Sequence, residues 1–575
     1  MLSVCSCFVV LCFHLCMSKE DLIRQTTYGR VRGFVTERVP GKQIYTFLGI
    51  PYASPPVKEL RFERPVSPIP WRGVLDALTL PPACIQYDHM DYIQDHFEGF
   101  HNSSEDCLYI NLYIPPVKSN KIKNTSVLVY MHGGSNRDGM GSMLEGDILA
   151  GHGEIIVVTF NYRLGIYGFV AAKDEGLEGN YGFLDQVEVL KWVKANIEEF
   201  GGNPDMVTIY GHSAGAADVG FHGTSPLSKG LFQRVIVHSG SPLAFWATTD
   251  PGWPEGYNIL PCKGGCNGKT FKQHLKSLSI KELNSKKGLG TPRDLVTFPA
   301  NIDGEFLIGR PSETYHNHLN ADHFLLAFAK DEGFPLDKEI NRDIFETFSK
   351  GTMMEVLWHY NTVYKNIQNF TEIVFKEYKE FEGALRYIQL QQVDADFIFF
   401  APMIRLADLL CRYIQDLYLL SFDHVSTYSP HPNWQGVPHG VDLLYVFGVP
   451  LVGHHRYKYD ELDKEASRRV MTIWSDFVKG KDHGLSPYQE RNKQYSRLVS
   501  RNEKILIETA NSFRPRKMHF WNKLIPHLNK TSTRRAIEVK LNHHHLSGVY
   551  NSSTVSHVKW LVILICWTWL FVLPV

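Results

Sequence analysis

Six short stretches of this chain are apolar almost without interruption: "VLVYMHGG", "IIVVTFNYR", "VTIYGHS", "RVIVHSG", "FLLAFAKDEG" and "LYLLSFDH". A strand with one wet face alternates apolar and polar residues. A continuous run suits a strand buried on both faces, as in a parallel sheet. Helical patterns lie between several of the runs. "FLDQVEVLKWVKANIEEF", Phe183 to Phe200, sets most of Leu184, Val187, Leu190, Trp192 and Val193 on one helical face, and "GGNPD" then breaks it. Alternating strands and helices predict the α/β class: a large, mostly parallel central sheet with helices on both faces. With 575 residues, 44% of them hydrophobic, the chain has ample material for a large core. Sixty Lys and Arg balance sixty Asp and Glu with no long basic stripe, so nucleic-acid binding has no electrostatic footprint.

The two ends read as processing signals. "LSVCSCFVVLCFHLCMS" is a short apolar run ending in small residues, and residues 1–18 are expected to be a cleaved secretory signal. "WLVILICWTWLFVLPV", Trp560 to Val575, is shorter than the roughly 20 residues a spanning helix needs, and no Lys or Arg follows it. Small residues and a polar spacer precede it. Residues 554–575 therefore match a glycolipid-anchor signal, with attachment at Asn551 or a neighbour, or at Ser547 or Gly548. A short membrane tail is the alternative. Residues 529–553 read as a polar stalk, whose His543 to His545 run is a possible metal tract but suits solvated chain better. The folded domain is expected over residues 19–528, secreted or held at the cell surface. The mature chain keeps Cys84, Cys107, Cys262, Cys266 and Cys411, an odd number, and Cys84 with Cys107 closes a loop of sensible size. Glycosylation sequons fall at Asn102, Asn124, Asn369, Asn529 and Asn551.

Polar groups follow several of the apolar runs directly, at the strand ends where open α/β sheets bind ligands. "GHSAG" is a nucleophile-elbow pattern, with the strand "VTIY" before Ser213 and the small-residue stretch "AGAADVGF" after it. A plain strand–turn–helix with Ser213 as a cap is the structural alternative. Serine is a poor nucleophile until an imidazole takes its proton and an acid holds that imidazole. Glu332 and His439 follow in the chain order expected for this elbow, serine, acid, histidine. "YMHGGS" supplies a glycine-rich loop after another strand. The backbone N–H groups of Gly134 and Ser135, with that of Ala214, are candidate donors to an oxyanion.

These motifs, with "YGRVRG", "FLGIPYASPP", "SEDCLYINLYIP", "NYRLGIYGF", "FGGNPDMVTIYGHSAGA", "HGVDLLYVFG" and "FWNKLIP" in order, resemble the type-B carboxylesterase and cholinesterase family, which also includes the neuroligin adhesion proteins. The resemblance spans about Tyr28 to Ile525. It implies an α/β-hydrolase fold with helical insertions around a gorge. It places the triad on Ser213, Glu332 and His439, a second-shell serine on Ser239, an acidic gorge residue on Asp442 and an acyl-pocket position on Trp246. It implies a disulfide between Cys84 and Cys107. The second family disulfide is altered, with Cys266 at one position and His274 at the other. Cys262 and Cys266, in "CKGGC", are a possible pair, and Cys411 has no assigned partner.

Two cation-holding features of cholinesterases are missing. "FEGFHNSSEDC" has no tryptophan, and His212 stands before the nucleophile where cholinesterases place glutamate. The expected function is hydrolysis of carboxylic esters through an acyl-serine, without selectivity for choline esters and without metal or organic cofactor. The expected partner is a small ester. A homodimer and an extracellular protein partner are compatible with the resemblance. The alternative is a catalytically weak or inactive cell-surface adhesion or binding protein of neuroligin type.

Overall fold

The computed structural model describes residues 22–86, 102–116, 124–248, 270–285, 299–333, 350–364, 367–378, 386–431, 433–454 and 457–530. Its centre is one sheet of eleven strands. In chain order these are β1 (Phe34–Val39), β2 (Lys42–Pro51), β3 (Tyr109–Ile114), β4 (Thr125–Met131), β5 (Ile156–Phe160), β6 (Gly202–His212), β7 (Arg234–His238), β8 (His323–Ala329), β9 (Asp416–Phe422), β10 (Gln494–Arg501) and β11 (Lys504–Asn511). Across the sheet the order is β11-β10-β9-β8-β7-β6-β4-β5-β3-β2-β1. Pairing from β10 across to β5 is parallel. The margins are antiparallel. All six apolar runs became strands of the parallel part, as the sequence pattern predicts.

Burial explains why the runs are continuous. Val127, Val129, Ile209, Val235, Val237, Phe324 and Leu326 enter one hydrophobic core. Their chain neighbours Leu128, Tyr130, Tyr210, Ile236 and Leu325 enter the other. Successive strand residues point to opposite faces, so a strand between two cores needs apolar residues at every position. On the first face lie α1 (Tyr181–Asn196) and α2 (Ala214–His222), which supply Leu190, Val193, Ala216 and Val219. On the second lies α4 (Glu461–Val478), with Val470 and Trp474, beside the short α3 (Val441–Val446). Asp460 starts α4 with a reciprocal capping box to Asp463.

Helix α1 departs from its expected pattern. Phe183, Leu184, Asp185, Gln186, Val187, Val189 and Leu190 are all buried, nearly all the way round. It is covered on several sides, and its polar residues are held inside: Arg163 grips Asp185 through Nε at 2.8 Å and Nη2 at 2.7 Å. The regular helix ends at Asn196, and a tighter turn, Ile197–Phe200, completes the expected segment. The chain remains helical over residues 525–530, two residues into the segment read as stalk. No helix among the described residues is long and apolar enough to cross a membrane. The signal segment 1–18, the rest of the stalk and the apolar tail lie outside the described residues.

Strand order reverses around β4. The chain passes from β4 to β5 on one side, then crosses to β6 on the other. Loops leaving β4 and β6 thus open a crevice at the carboxyl edge of the sheet, the usual ligand position in such sheets. Glycine makes the crevice tight. A Cβ on Gly211 would lie 1.9 Å from the Gly215 carbonyl oxygen, and one on Gly215 would lie 2.2 Å from that of Met131. Neither backbone atom can yield without moving a strand or α2. Gly211→Ala is expected to destabilise the fold by about 3 kcal/mol, the cost of severe overpacking. A denaturation midpoint equal to that of the unchanged protein would contradict this close approach.

Candidate active site

Ser213 follows the last residue of β6 and precedes the first of α2, with φ 58° and ψ −121°. This is a strained conformation for a residue with a Cβ. Its N–H donates to the His238 carbonyl at 2.9 Å, and its carbonyl accepts from Ala216 at 3.0 Å. Ser213 is the N-cap residue of α2, but its side chain makes no cap hydrogen bond to the helix. The side chain is half-buried. The Ala214 N–H lies in the first turn of α2, whose donors have no partner within the helix.

The loop after β4 wraps the elbow. A Cβ on Gly133 would come within 2.6 Å of the His212 carbonyl oxygen and 2.9 Å of Ser213 Cβ. Gly134, Ser135 and Asn136 all take positive φ, at 105°, 58° and 53°. The loop is held by identifiable bonds. The Gly134 carbonyl accepts from Arg137 and Asp138, at 3.0 and 2.9 Å. Asn136 Nδ2 donates to Asp218 Oδ1 at 3.0 Å, and Gln186 Nε2 donates to Asp218 Oδ2 at 2.8 Å. Gln186 Oε1 in turn lies 3.0 Å from His222. The loop is thus tied through buried polar groups to both α1 and α2. Burial pushes the Asp218 carboxyl up to about 7, against the pull of its two amide donors. At its far end, the Gly139 N–H donates to Gln86 Oε1 at 3.0 Å, and Gln86 Nε2 donates back to the Gly139 carbonyl at 2.9 Å. Gln86 lies two residues past Cys84, which is bonded to Cys107.

Glu332 sits three residues beyond β8, and His439 two residues before α3. His439 Nδ1 is 2.6 Å from Glu332 Oε2. The other carboxylate oxygen accepts from the Ala329 N–H at 3.1 Å. Glu332 is 1% exposed and His439 6%. A carboxylate on Nδ1 favours the tautomer with its proton there, which leaves Nε2 able to accept one. The His439 ring is packed between Phe399, at 4.4 Å between ring centres, and His212, at 4.8 Å. Because Ser213 directly follows His212, this stacking brings the elbow and the Glu332–His439 pair together.

His212 and His238 are register partners at the ends of β6 and β7, with ring centres 5.0 Å apart. Burial, and then the neighbouring His439 and His238, hold the His212 imidazole well below its usual range. It is therefore neutral at physiological pH and a weaker base than a free imidazole. Asp442 is 1% exposed and bonds His238 Nε2 at 2.7 Å. It partners a histidine absent from the sequence-derived site. The signal for His238 was present: "RVIVHSG" carries a histidine after its apolar run, as "YMHGG" and "YGHSA" do. Ser239 is fully buried with φ 55°, and its Oγ has no hydrogen-bond partner among the described residues. Trp246 is 9% exposed and donates to the Ile398 carbonyl at 3.3 Å.

The disulfide between Cys84 and Cys107 is present, and Cys411 is a free, half-buried thiol. Cys262, Cys266 and Asn551 lie outside the described residues. Asn102, Asn124 and Asn369 are exposed, whereas Asn529 is half-buried at the end of the final helix.

The parallel sheet with its serine elbow and carboxylate–imidazole pair defines an α/β-hydrolase. Residues 20–521 match the carboxylesterase family, and the chain belongs to it. It is 32% identical to an acetylcholinesterase of Bungarus fasciatus, over 90% of both chains. It is 31% identical to neuroligin-2 of Mus musculus, over 88% of this chain and 68% of that one. It is also 31% identical to the pyrethroid hydrolase Ces2e of Rattus norvegicus, over 88% of this chain and 90% of that one.

His132 opens the loop after β4. Its Nδ1 lies 2.8 Å from the Gly133 carbonyl, and burial pushes its pKa down to about 4. Between pH 6.5 and 4 the unfolded chain binds a proton here that the folded chain refuses, so this contribution to stability falls as pH falls. From pH 7 to 5, the unchanged protein is expected to lose about 2 kcal/mol more stability than His132→Gln. Parallel pH profiles of unfolding free energy would contradict the assignment.

Proposed function

We propose that the chain is a serine hydrolase of carboxylic esters that works through an acyl-Ser213 intermediate. The observation that carries this reading is the strained Ser213 elbow packed, through His212, against a His439 that is oriented by buried Glu332. His439 Nε2 takes the Ser213 hydroxyl proton as Oγ attacks the ester carbonyl. Glu332 holds the ring and stabilises the imidazolium. The backbone N–H groups of Gly134, Ser135 and Ala214 receive the developing oxyanion, and serine serves at position 135 because the donor is main-chain. The imidazolium then protonates the leaving alcohol. Water, activated by the same imidazole, releases the acid and restores Ser213.

Short neutral esters are the proposed substrates, with Trp246 limiting the acyl group. The absence of a tryptophan from "FEGFHNSSEDC" and the neutral His212 before the nucleophile both disfavour a quaternary ammonium ligand. The purified chain is expected to react with a fluorophosphonate at Ser213 and to lose that labelling in His439→Ala. Ser213→Ala is expected to lower ester turnover at least 1,000-fold, consistent with the weight a triad member carries. A folded, glycosylated protein that neither labels nor turns over esters would sink this reading and favour a surface-binding protein.

A further inference from the structure

Beneath the triad lies a second cluster that ester hydrolysis does not use. His212 and His238 stand side by side because neighbouring parallel strands end together, and strands lie about 4.8 Å apart. Asp442, in the first turn of α3, meets them from below. One donor atom from each of the three lies within 4.8 Å of the others, and all three side chains are buried. His212 is 4% exposed, His238 1% and Asp442 1%.

Two atoms of this cluster are orphaned. His212 Nε2 and Asp442 Oδ1 have no hydrogen-bond partner among the described residues. A buried polar atom left unpaired costs on the order of 1–3 kcal/mol, and more when the group is charged. A single cation held by His212 Nε2, His238 Nε2 and both oxygens of Asp442 would satisfy both. The remaining contacts suit one as well. His238 Nδ1 lies 2.9 Å from the Tyr210 hydroxyl. With its proton on Nδ1 and donated to that oxygen, His238 presents a free electron pair at Nε2, the usual outer support of a metal-bound imidazole.

We propose that His212, His238 and Asp442 form a buried site for one divalent transition-metal ion of the zinc type. Two imidazoles and one carboxylate suit zinc and its neighbours better than calcium or magnesium, which take oxygen ligands. Zinc holds such donors at about 2.0–2.2 Å, hence roughly 3.3 Å from one another. His238 Nε2 and Asp442 Oδ2, now 2.7 Å apart, would open slightly, and a pair at the 4.8 Å limit would close. Three protein ligands leave a fourth position for water. The ion would not enter the ester chemistry. It would place positive charge one ring away from His439, where acylation must create an imidazolium. Bound zinc is therefore an inhibitor, a consequence that rests on the esterase reading; the site itself does not.

The test uses the untagged full chain with the stalk histidines His543, His544 and His545 changed to Ala. The protein is stripped with a chelator and titrated with zinc chloride in a calorimeter. One ion per chain is expected, weakened at least 100-fold in Asp442→Asn and in His212→Gln. Zinc-edge X-ray absorption of the loaded parent chain is expected to count two imidazoles and no sulfur. No one-to-one binding by the folded parent, a sulfur-containing or all-oxygen shell, or binding unchanged in folded variants would overturn the site. If a variant does not fold, the parent's stoichiometry and ligand shell decide alone. Loaded chain is expected to label with fluorophosphonate at least tenfold more slowly. A parent that never labels defeats the esterase reading while leaving the zinc titration to judge the site.

Discussion

The site depends on one steric fact: four stretches of backbone meet closer than any Cβ allows. Gly211 and Gly215 bring β6 and α2 together, and Gly215 also lies against the end of β4. Gly133 presses the loop after β4 onto His212 and Ser213, and a Cβ on Gly240 would fall 2.1 Å from the Ser213 carbonyl oxygen. Backbone against backbone cannot relax by a rotamer change. The elbow is therefore held in its strained conformation by main-chain geometry on all sides, and the cost of that strain is offset by the two cores that bury the surrounding strands.

Polar groups complete what the glycines begin. Tyr162 places its hydroxyl 2.8 Å from the His132 carbonyl and 3.0 Å from Asn136 Oδ1. From Asn136 the chain of bonds continues through Asp218 and Gln186 to His222, whose Nδ1 reaches Ser228 Oγ at 2.6 Å. Every link is buried, so each bond forms in a low dielectric where an unmade partner is costly. The loop that offers Gly134 and Ser135 is thus specified by helices on one face of the sheet. The Glu332–His439 pair is positioned from β8 and α3. Ser213, the loop of Gly134 and Ser135, and His439 come from separate parts of the chain and share the carboxyl edge of the sheet.

Much of this was legible in the residues. Continuous apolar runs gave the parallel strands because burial on two faces leaves no room for polar alternation. The elbow and its chain-order partners were visible because the chemistry constrains residue type and spacing. What escaped was lateral: Asp442 pairs with His238, and His212 stacks on His439, through strand register and helix placement that no local window contains. The apolar residues of helix α1 suggest a single buried face, yet Asp185 and Gln186 are buried as well. In the fold they are interior residues, paired with Arg163 and Asp218.

The two bonds between Gln86 and Gly139 tie one end of the loop after β4 to the stretch that begins at the Cys84–Cys107 bridge. In the proposed mechanism the loop contributes main-chain donors, so what matters there is where its backbone sits rather than which side chains it bears. Compartment and chemistry are thereby joined. A chain folded under oxidising conditions has this loop pinned at its outer end by a covalent staple. A chain folded under reducing conditions would carry the same Ser213 and His439 with that anchorage slackened. The redox history of the polypeptide becomes a determinant of where this backbone sits.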